Sequence, residues 1–567
     1  MRYCPHNNAL VSLSLILTQL LIKSNSFTII NQFKTTSSFC KQKHYATIDK
    51  SSVEETTNSP KRKLSKTDEL NHQFSKLYHD IISNGNISQV YDMEHIIFSY
   101  NTNTTEESML DTISYNTLLS TWKSMAVRYE EGNVNGEIPK DILPKNHVYV
   151  AKDVALRSTR ILSYMEDKDL VDVTSYNIVI DTWAKSKSYD GGAEVDKILK
   201  RMLSSDNVSP DEFTFNAILD TCSNMNDKTP NVHEKVEEYY SIMQSLQIKP
   251  TIRTYNIIMA AYSKAIANHL EVSRSTNSLN TKDLSSKQQF QSEQMKQQQQ
   301  KRRHDSNVVE TKEVQKIAST RVMELFQEAK DDEELEVTAA TYTVAIDSLA
   351  RCCLPYICET LVNELEELFR KAKEKFDKES DGDGLYPPSI LSMSPNIRTY
   401  TALINAWSWS KDRESPTKAT QTLEKVEQTY EESLQSKKFE DSFCNTIKPN
   451  VRTYTAVISC IAHSRLQEKA VLALNVLKRL VAKYTKTNDV AFKPNIFTYN
   501  AVIDTCSKVY ASNCRNPKDD GAKMQSDALK IAFDVFKLIR KDKSVKANYV
   551  SFSLYFPSSK LKLSFHR

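Results

Sequence analysis

The sequence predicts an all-α protein built from stacked helix-turn-helix repeats. Three observations carry that expectation. The chain of 567 residues holds only 8 glycines, about 1.4% where about 7% is usual. A three-residue phrase recurs eight times with the same apolar spacing behind it. A proline beside a polar residue closes most of these recurrences.

The glycine shortage argues against all-β folds and against glycine-rich phosphate loops. Neither G-x-G-x-x-G nor G-x-x-x-x-G-K-[ST] occurs, so a nucleotide-binding α/β enzyme is not expected. The glycines are expected between helices. Lys+Arg is 75 and Asp+Glu is 71, a net charge of +4, which excludes a bulk polycation but not a local basic groove. Ten cysteines include no C-x-x-C, and Cys352, Cys353 and Cys358 read as buried packing in a reducing compartment rather than a metal site. No cofactor is expected.

Residues 1–48 contain no Asp or Glu, several Ser/Thr, and Arg2, Lys23, Lys34, Lys41 and Lys43. Such a segment reads as an organelle address, with the mitochondrion expected and the plastid as the alternative. The apolar stretch Ala9–Ile22 is too short to span a bilayer comfortably, so no membrane partner is expected. Residues 49–89 read as a linker and leading helix, and 90–556 as the repeat array.

The recurring phrase is [ST]-[YF]-[NT]. It appears as Ser114-Tyr115-Asn116, Ser175-Tyr176-Asn177, Thr214-Phe215-Asn216 and Thr254-Tyr255-Asn256, and continues as Thr341-Tyr342-Thr343, Thr399-Tyr400-Thr401, Thr453-Tyr454-Thr455 and Thr498-Tyr499-Asn500. Apolar residues follow each aromatic at helical spacing, as in Tyr176/Val179/Ile180/Trp183, which makes one stripe along an α-helix. The Ser/Thr is expected to be the helix N-cap. A second helix follows each first one, among them Glu313–Lys330, Glu359–Phe376, Leu466–Tyr484 and Ser526–Arg540. Breaks such as Ser209-Pro210-Asp211, Lys448-Pro449-Asn450 and Lys493-Pro494-Asn495 stop the second helix and set up the next turn. Helix pairs of this kind bury their stripes only by stacking.

Successive aromatics lie 61, 39, 40, 87, 58, 54 and 45 residues apart, so a unit of about 35 residues carries insertions. The largest, Ile266–Thr311, includes Gln297–Gln300 and is expected to be disordered. Gly132–Pro144, Lys378–Ser394 and Gln435–Thr446 are expected to be surface loops or disorder. A ninth repeat begins at Ser551-Phe552-Ser553 without its second helix. Residues 557–567 read as an irregular tail, and a truncated C-terminus is an expectation.

The T-Y-N-x-[LIV]-[ILV] opening and the K-P-[DN] close resemble the pentatricopeptide repeat, over roughly residues 90–556. The resemblance implies a right-handed α-solenoid that binds single-stranded RNA, one base per repeat, on an organelle transcript. It implies that the residue after the aromatic and the last residue of the repeat read one base together. The pairs are Asn116 with Asp172 and Asn177 with Asp211, resembling uracil readers, then Asn216 with Thr251 and Asn256 with Thr338, resembling pyrimidine readers. Thr343 with Asn396, Thr401 with Asn450 and Thr455 with Asn495 resemble adenine readers, and Asn500 with Asn548 a cytosine reader. The implied site is 5′-UUYYAAAC-3′. The residue before each Ser/Thr would flank the base: Ile113, Thr174, Phe213, Arg253, Ala340, Arg398, Arg452 and Phe497. Lys185, Lys264, Arg351 and Lys508 resemble the family's phosphate-facing lysine, which Asn224, Trp409 and His463 replace in other units.

Asn or Thr in a first helical turn is common from local hydrogen bonding alone. Eight occurrences at one register favour base contact over that reading. No H-x-E with P-C-x-x-C, no H-E-x-x-H and no G-x-S-x-G occurs, so no enzyme is expected. The leading function is a sequence-selective RNA-binding factor in organelle RNA stability, processing or translation, with protein partners for processing. The alternative is a protein-binding scaffold, or the RNA-binding arm of a nuclease whose catalytic part lies elsewhere.

Overall fold

The computed structural model describes residues 66–103, 110–134, 150–224, 232–278, 290–379, 384–436, 438–513, 519–541 and 545. The targeting segment, Asn548, the start of the ninth repeat, the C-terminal tail and most of Gly132–Pro144 lie outside the described residues. The described chain is helical, in consecutive antiparallel pairs. The first is α1 (Lys66–Asn84) with α2 (Ile87–Asn103), followed by α3 (Thr112–Glu131) with α4 (Ala151–Asp167) and α5 (Val173–Ser186) with α6 (Gly191–Ser204). Next come α7 (Glu212–Asn224) with α8 (Val232–Ser245), α9 (Ile252–Ser278) with α10 (Phe290–Asp331), and α11 (Ala339–Arg351) with α12 (Pro355–Glu379). After the short α13 (Pro388–Leu391) come α14 (Ile397–Ser410) with α15 (Ser415–Gln435), and after the short α16 (Asp441–Ile447) come α17 (Val451–His463) with α18 (Lys469–Thr487). A 3-10 turn at Val490–Phe492 leads into α19 (Ile496–Asn513) and α20 (Asp519–Lys541).

The first helices α1, α3, α5, α7, α9, α11, α14, α17 and α19 each pack on the next, and the second helices fill the layer behind them. This is an α-solenoid, and the apolar stripes read from the sequence form its core. Tyr115, Leu118, Leu119 and Trp122 are fully buried in α3, as are Ile404 and Trp407 in α14. The motif aromatics are core, and their hydroxyls find carboxylates. Tyr176 donates to Glu166 at 2.8 Å, Tyr400 to Glu366 at 2.9 Å and Tyr342 to Glu364 at 3.0 Å. A buried tyrosine needs such an acceptor, which gives the acidic residues of the second helices a structural role.

The array starts earlier than residue 90. α1, in the region expected as linker and leading helix, pairs with α2 and stacks on α3. Two of the expected loops are also built structure. Phe443 and Ile447 of α16 pack with Phe369 of α12 and with Ile390, Leu391 and Phe439 in a separate apolar cluster. The rings of Phe439 and Phe443 stack at 4.9 Å. The backbone N–H of Tyr386 donates to Lys438 O at 3.0 Å, tying one insertion to the other. Their apolar residues are about fifty positions apart, so no local period announces them. Within 266–311, residues 266–278 continue α9 and 290–311 open α10, while 279–289 lie outside the described residues.

Two glycines are placed by geometry. Gly132 caps α3 in the left-handed region, at φ 71°, where a side chain is disfavoured. Gly191 lies in the first turn of α6, not between helices, and a Cβ there would sit 3.3 Å from the Thr221 side chain. Gly192 and Gly521 also fall within helices, so the expectation that glycines separate helices fails at these three positions.

Candidate nucleic-acid interface

The first helices of the array share one opening. Asp172, the residue before α5, has an extended backbone (φ −131°, ψ 178°), and its carboxylate accepts from Ser175 N. Asn396 and Asn450 do the same for α14 and α17. These are the N-caps. The Ser/Thr before the aromatic, expected at that place, is the third residue of the helix. It closes the capping box from the other side, as where Asp172 N donates to Ser175 Oγ at 3.2 Å and Asp211 N to Thr214 Oγ1 at 3.1 Å. The reason for the shift is burial. Ser114, Ser175, Thr214, Thr254, Thr341, Thr399, Thr453 and Thr498 are all fully buried, because their hydroxyls face the preceding repeat.

That contact joins the predicted reading residues. Asn116 Nδ2 donates to Asp172 Oδ1 at 3.0 Å, while Ser175 Oγ donates to Asn116 Oδ1 at 2.7 Å. Asn177 repeats this with Asp211 at 3.1 Å and Thr214 at 2.6 Å. Asn216 repeats it with Thr251 at 3.1 Å and Thr254 at 2.7 Å. Each clasp spans two repeats, so the paired side chains are held in place by bonds within the protein. The pair Asn256 and Thr338 has no such bond: Asn256 Oδ1 and Thr341 Oγ1 are both buried without a hydrogen-bond partner. This seam follows the 87-residue spacing, where α9 and α10 are the longest helices described.

Beyond that seam the clasp changes chemistry. Thr343, Thr401 and Thr455 meet Thr399, Thr453 and Thr498 at 2.6, 3.1 and 2.8 Å. Thr401 also donates to Ile397 O at 2.7 Å. Asn396 and Asn450 accept two backbone N–H groups each through Oδ1, which leaves Nδ2 outside the cap. Thr498 N donates to Asn495 Oδ1 at 3.0 Å. Asn500 lies in α19, and its expected partner Asn548 is outside the described residues.

The flanking positions point outward. Ile113, Phe213 and Phe497 are 60%, 66% and 69% exposed, although the aromatics two positions later are buried. Thr174, Arg253, Ala340, Arg398 and Arg452 are exposed too. Arg253 also pairs with Asp220. A cleft of about 680 Å³ runs past Thr174, Phe213 and Arg253, with Asn177, Asp211 and Thr251 among its walls.

Three of the four cations expected to face phosphate pair with an aspartate one turn earlier. Lys508 meets Asp504 at 2.7 Å, Lys185 meets Asp181 at 3.8 Å and Arg351 meets Asp347 at 3.9 Å. Lys264 donates to Ser223 O at 2.6 Å. Trp409 lies beneath the Arg351 guanidinium at 5.5 Å. Burial lowers the His463 imidazole pKa, and Lys508, Lys411 and Lys469 push it the same way against Asp504. A histidine that folds neutral loses stability as pH falls, because the unfolded imidazole takes up its proton first. Stability is therefore expected to decline as pH drops below about 6.5, and His463→Gln should flatten that part of a thermal-unfolding profile. A variant profile parallel to the parent between about pH 5 and 7 would refute this.

The cysteine group is packing: Cys352 and Cys358 are buried, and burial pushes the Cys352 thiol up to about 12. Among the described residues no group of His, Cys, Asp or Glu is arranged to hold a metal ion, and no helix is long and apolar enough to cross a membrane. One pair with the clasp geometry escaped the sequence pattern. Asn71 of α1 donates to both carboxylate oxygens of Asp111, at 3.2 and 3.0 Å. Its helix carries Glu69-Leu70-Asn71 as its fourth to sixth residues, without the Ser/Thr and aromatic that mark the others.

Residues 439–509 match the family model of the pentatricopeptide repeat domain. No curated protein matches the chain. Among solved structures it is similar to the pentatricopeptide repeat protein PPR10 in complex with an 18-nt psaJ RNA element, at 14% identity and a TM-score of 0.23, over 81% of this chain and 62% of that one. It is also similar to PPR10 from maize, at 12% identity and a TM-score of 0.21, over 86% and 81% of the two chains. The chain thus spans less than two thirds of the first of these. The family match runs from α16 through most of α19, and it contains the Thr455–Thr498 clasp, which repeats those at Thr343–Thr399 and Thr401–Thr453. The match to the pentatricopeptide repeat domain thus holds for residues 439–509.

Proposed function

We propose that the array binds single-stranded RNA sequence-selectively, and that it serves RNA stability, processing or translation in an organelle, with the mitochondrion the expected one. The observation that carries this reading is the convergence, in the successive units of Asn177–Asp211 and Asn216–Thr251, of outward flanking side chains and a clasped pair on one cleft. An apolar or guanidinium face there can hold an unstacked base, at about 1–3 kcal/mol per stacked base where the platform is aromatic.

The hydrogen-bond inventory then favours particular bases. In the Asn–Asp clasp, Oδ1 of each side chain is used, and the second N–H of Asn and the second oxygen of Asp are outside these bonds. A donor beside an acceptor complements the carbonyl and N3–H of uracil. In the Thr–Asn units the free Asn N–H and the threonine oxygen offer a donor and an acceptor, which complements N1 and the amino group of adenine.

An RNA of sequence 5′-UUYYAAAC-3′ is expected to shift the protein in a gel, and a scrambled octamer to shift it much less. Equal binding of the two, or none at low salt, removes the base-reading assignment. Thr401→Asn is expected to abolish adenine preference at the sixth position alone, a change of about 1–3 kcal/mol in discrimination. Unchanged preference at every position means the register is wrong. A C-terminally tagged full-length chain should co-localise with mitochondria, and cytosolic signal throughout would refute the organelle role.

A further inference from the structure

We propose that the cavity between the two insertions takes a guanine base that the array does not read, looped out of the strand between the nucleotides of the fourth and fifth units. This rests on the RNA-binding reading above. The cavity holds about 510 Å³. One wall is the start of α11, with Thr338 and Ala340. The opposite wall comes from outside the repeats, with Tyr386, Leu391 and Phe443 from the insertions that carry α13 and α16. Tyr386 N donates to Lys438 O, and Ala339 N to Ser392 O, at 3.0 Å each. Backbone bonds thus tie the insertions to one another and to the opening of α11.

Position, shape and hydrogen bonding select the ligand. Thr338 ends the fourth unit, Ala340 lies between the fourth and fifth bases, and Asn396 ends the fifth unit. All three line the cavity, so it opens off the proposed RNA track where the strand passes between these units. In the cleft at Thr174, the flanking residues Phe213 and Arg253 present a ring and a guanidinium. Ala340 presents only a methyl group, and the clasp between Asn256 and Thr341 is missing at this seam. Apolar contact for a base is supplied here by Tyr386, Leu391 and Phe443 instead. The charged side chain on the wall is the exposed Glu440, and Ser442 Oγ donates to its Oε2 at 3.1 Å, which orients the carboxylate. A carboxylate only accepts when ionised. Guanine presents N1–H and its N2 amino group side by side, a pair of donors that two carboxylate oxygens match. Uracil, cytosine and adenine each place an acceptor beside the donor on that edge.

The test uses the full-length chain, the octamer 5′-UUCCAAAC-3′, its scrambled form, and nonamers 5′-UUCCXAAAC-3′ with X = guanosine, inosine or uridine. The guanosine nonamer is expected to bind about fivefold more tightly than the uridine nonamer, the low end for a bidentate base contact. Inosine, which keeps N1–H and lacks the amino group, should fall between them. Glu440→Ala should erase the difference between guanosine and uridine. Glu440 precedes α16 without a side-chain cap bond, so the helix keeps its start. Ser442→Trp, at an exposed position, should fill the cavity and weaken the guanosine nonamer while leaving the octamer unchanged. The pocket is refuted, and the array reading survives, if the octamer outbinds its scrambled form but the three nonamers bind alike. The same holds if Glu440→Ala keeps the guanosine preference, or if Ser442→Trp weakens octamer and nonamer equally. If the octamer binds no better than its scrambled form, the array reading fails and the pocket falls with it.

Discussion

Trp122→Ala is expected to destabilise the protein by about 3–5 kcal/mol, read as a shift in the denaturant midpoint at unchanged slope. Trp122 is fully buried in α3, and its ring meets Tyr91 edge-on at 5.1 Å. Its Nε1–H donates to Glu94 at 2.9 Å, and Glu94 also accepts two bonds from Arg157 at 2.7 Å each. The guanidinium of Arg157 lies 4.5 Å from the Tyr91 ring. Truncation therefore opens a cavity where α2, α3 and α4 meet and removes one donor from a half-buried ion pair. Trp409→Ala, on a half-exposed residue of α14, should cost much less. A loss below about 1 kcal/mol for Trp122→Ala would show that this first part of the array collapses around the gap.

The affinity of the octamer is expected to fall about 50-fold between 50 and 200 mM salt. The figure follows from the four phosphate contacts proposed, one each for Lys185, Lys264, Arg351 and Lys508, and a slope of about −0.7 per contact for a single strand. A fourfold rise in salt at a slope of about −2.8 gives that factor. The inner track is poorer in positive charge than an array with a lysine in every unit, because His463, Trp409 and Asn224 take the place in others. The aspartates at 181, 347 and 504 compete with phosphate for the cations beside them. Lys264→Ala should lower the slope by about 0.7 and weaken all octamers equally. A slope near zero would exclude phosphate contacts along this track. A slope steeper than about −6, implying some nine contacts, would place the RNA on a different, more basic surface.

The fold was legible because its signal is local. Tyr176, Val179, Ile180 and Trp183 lie on one face of a helix whatever surrounds them, and all four are buried. The eightfold phrase then picked out side chains that the structure joins, Asn116 with Asp172, Asn177 with Asp211 and Asn216 with Thr251. What failed was local in form but not in cause. Thr399 looked like an N-cap, since a hydroxyl before an apolar run commonly caps a helix. It is buried at the third position because Thr343, 56 residues earlier, bonds to it.

The sequence by itself determined the helices and their apolar faces, since each depends on side chains within two turns of one another, and the recurring phrase marked the repeats that stack. Only the tertiary structure decided which hydroxyl meets which amide, that Asn71 and Asp111 form a pair without the motif, and that Phe369 and Phe443 close a second core. Those contacts join residues 37 or more positions apart. The translation from one helix pair to the next brings them together, and no period along the chain records it.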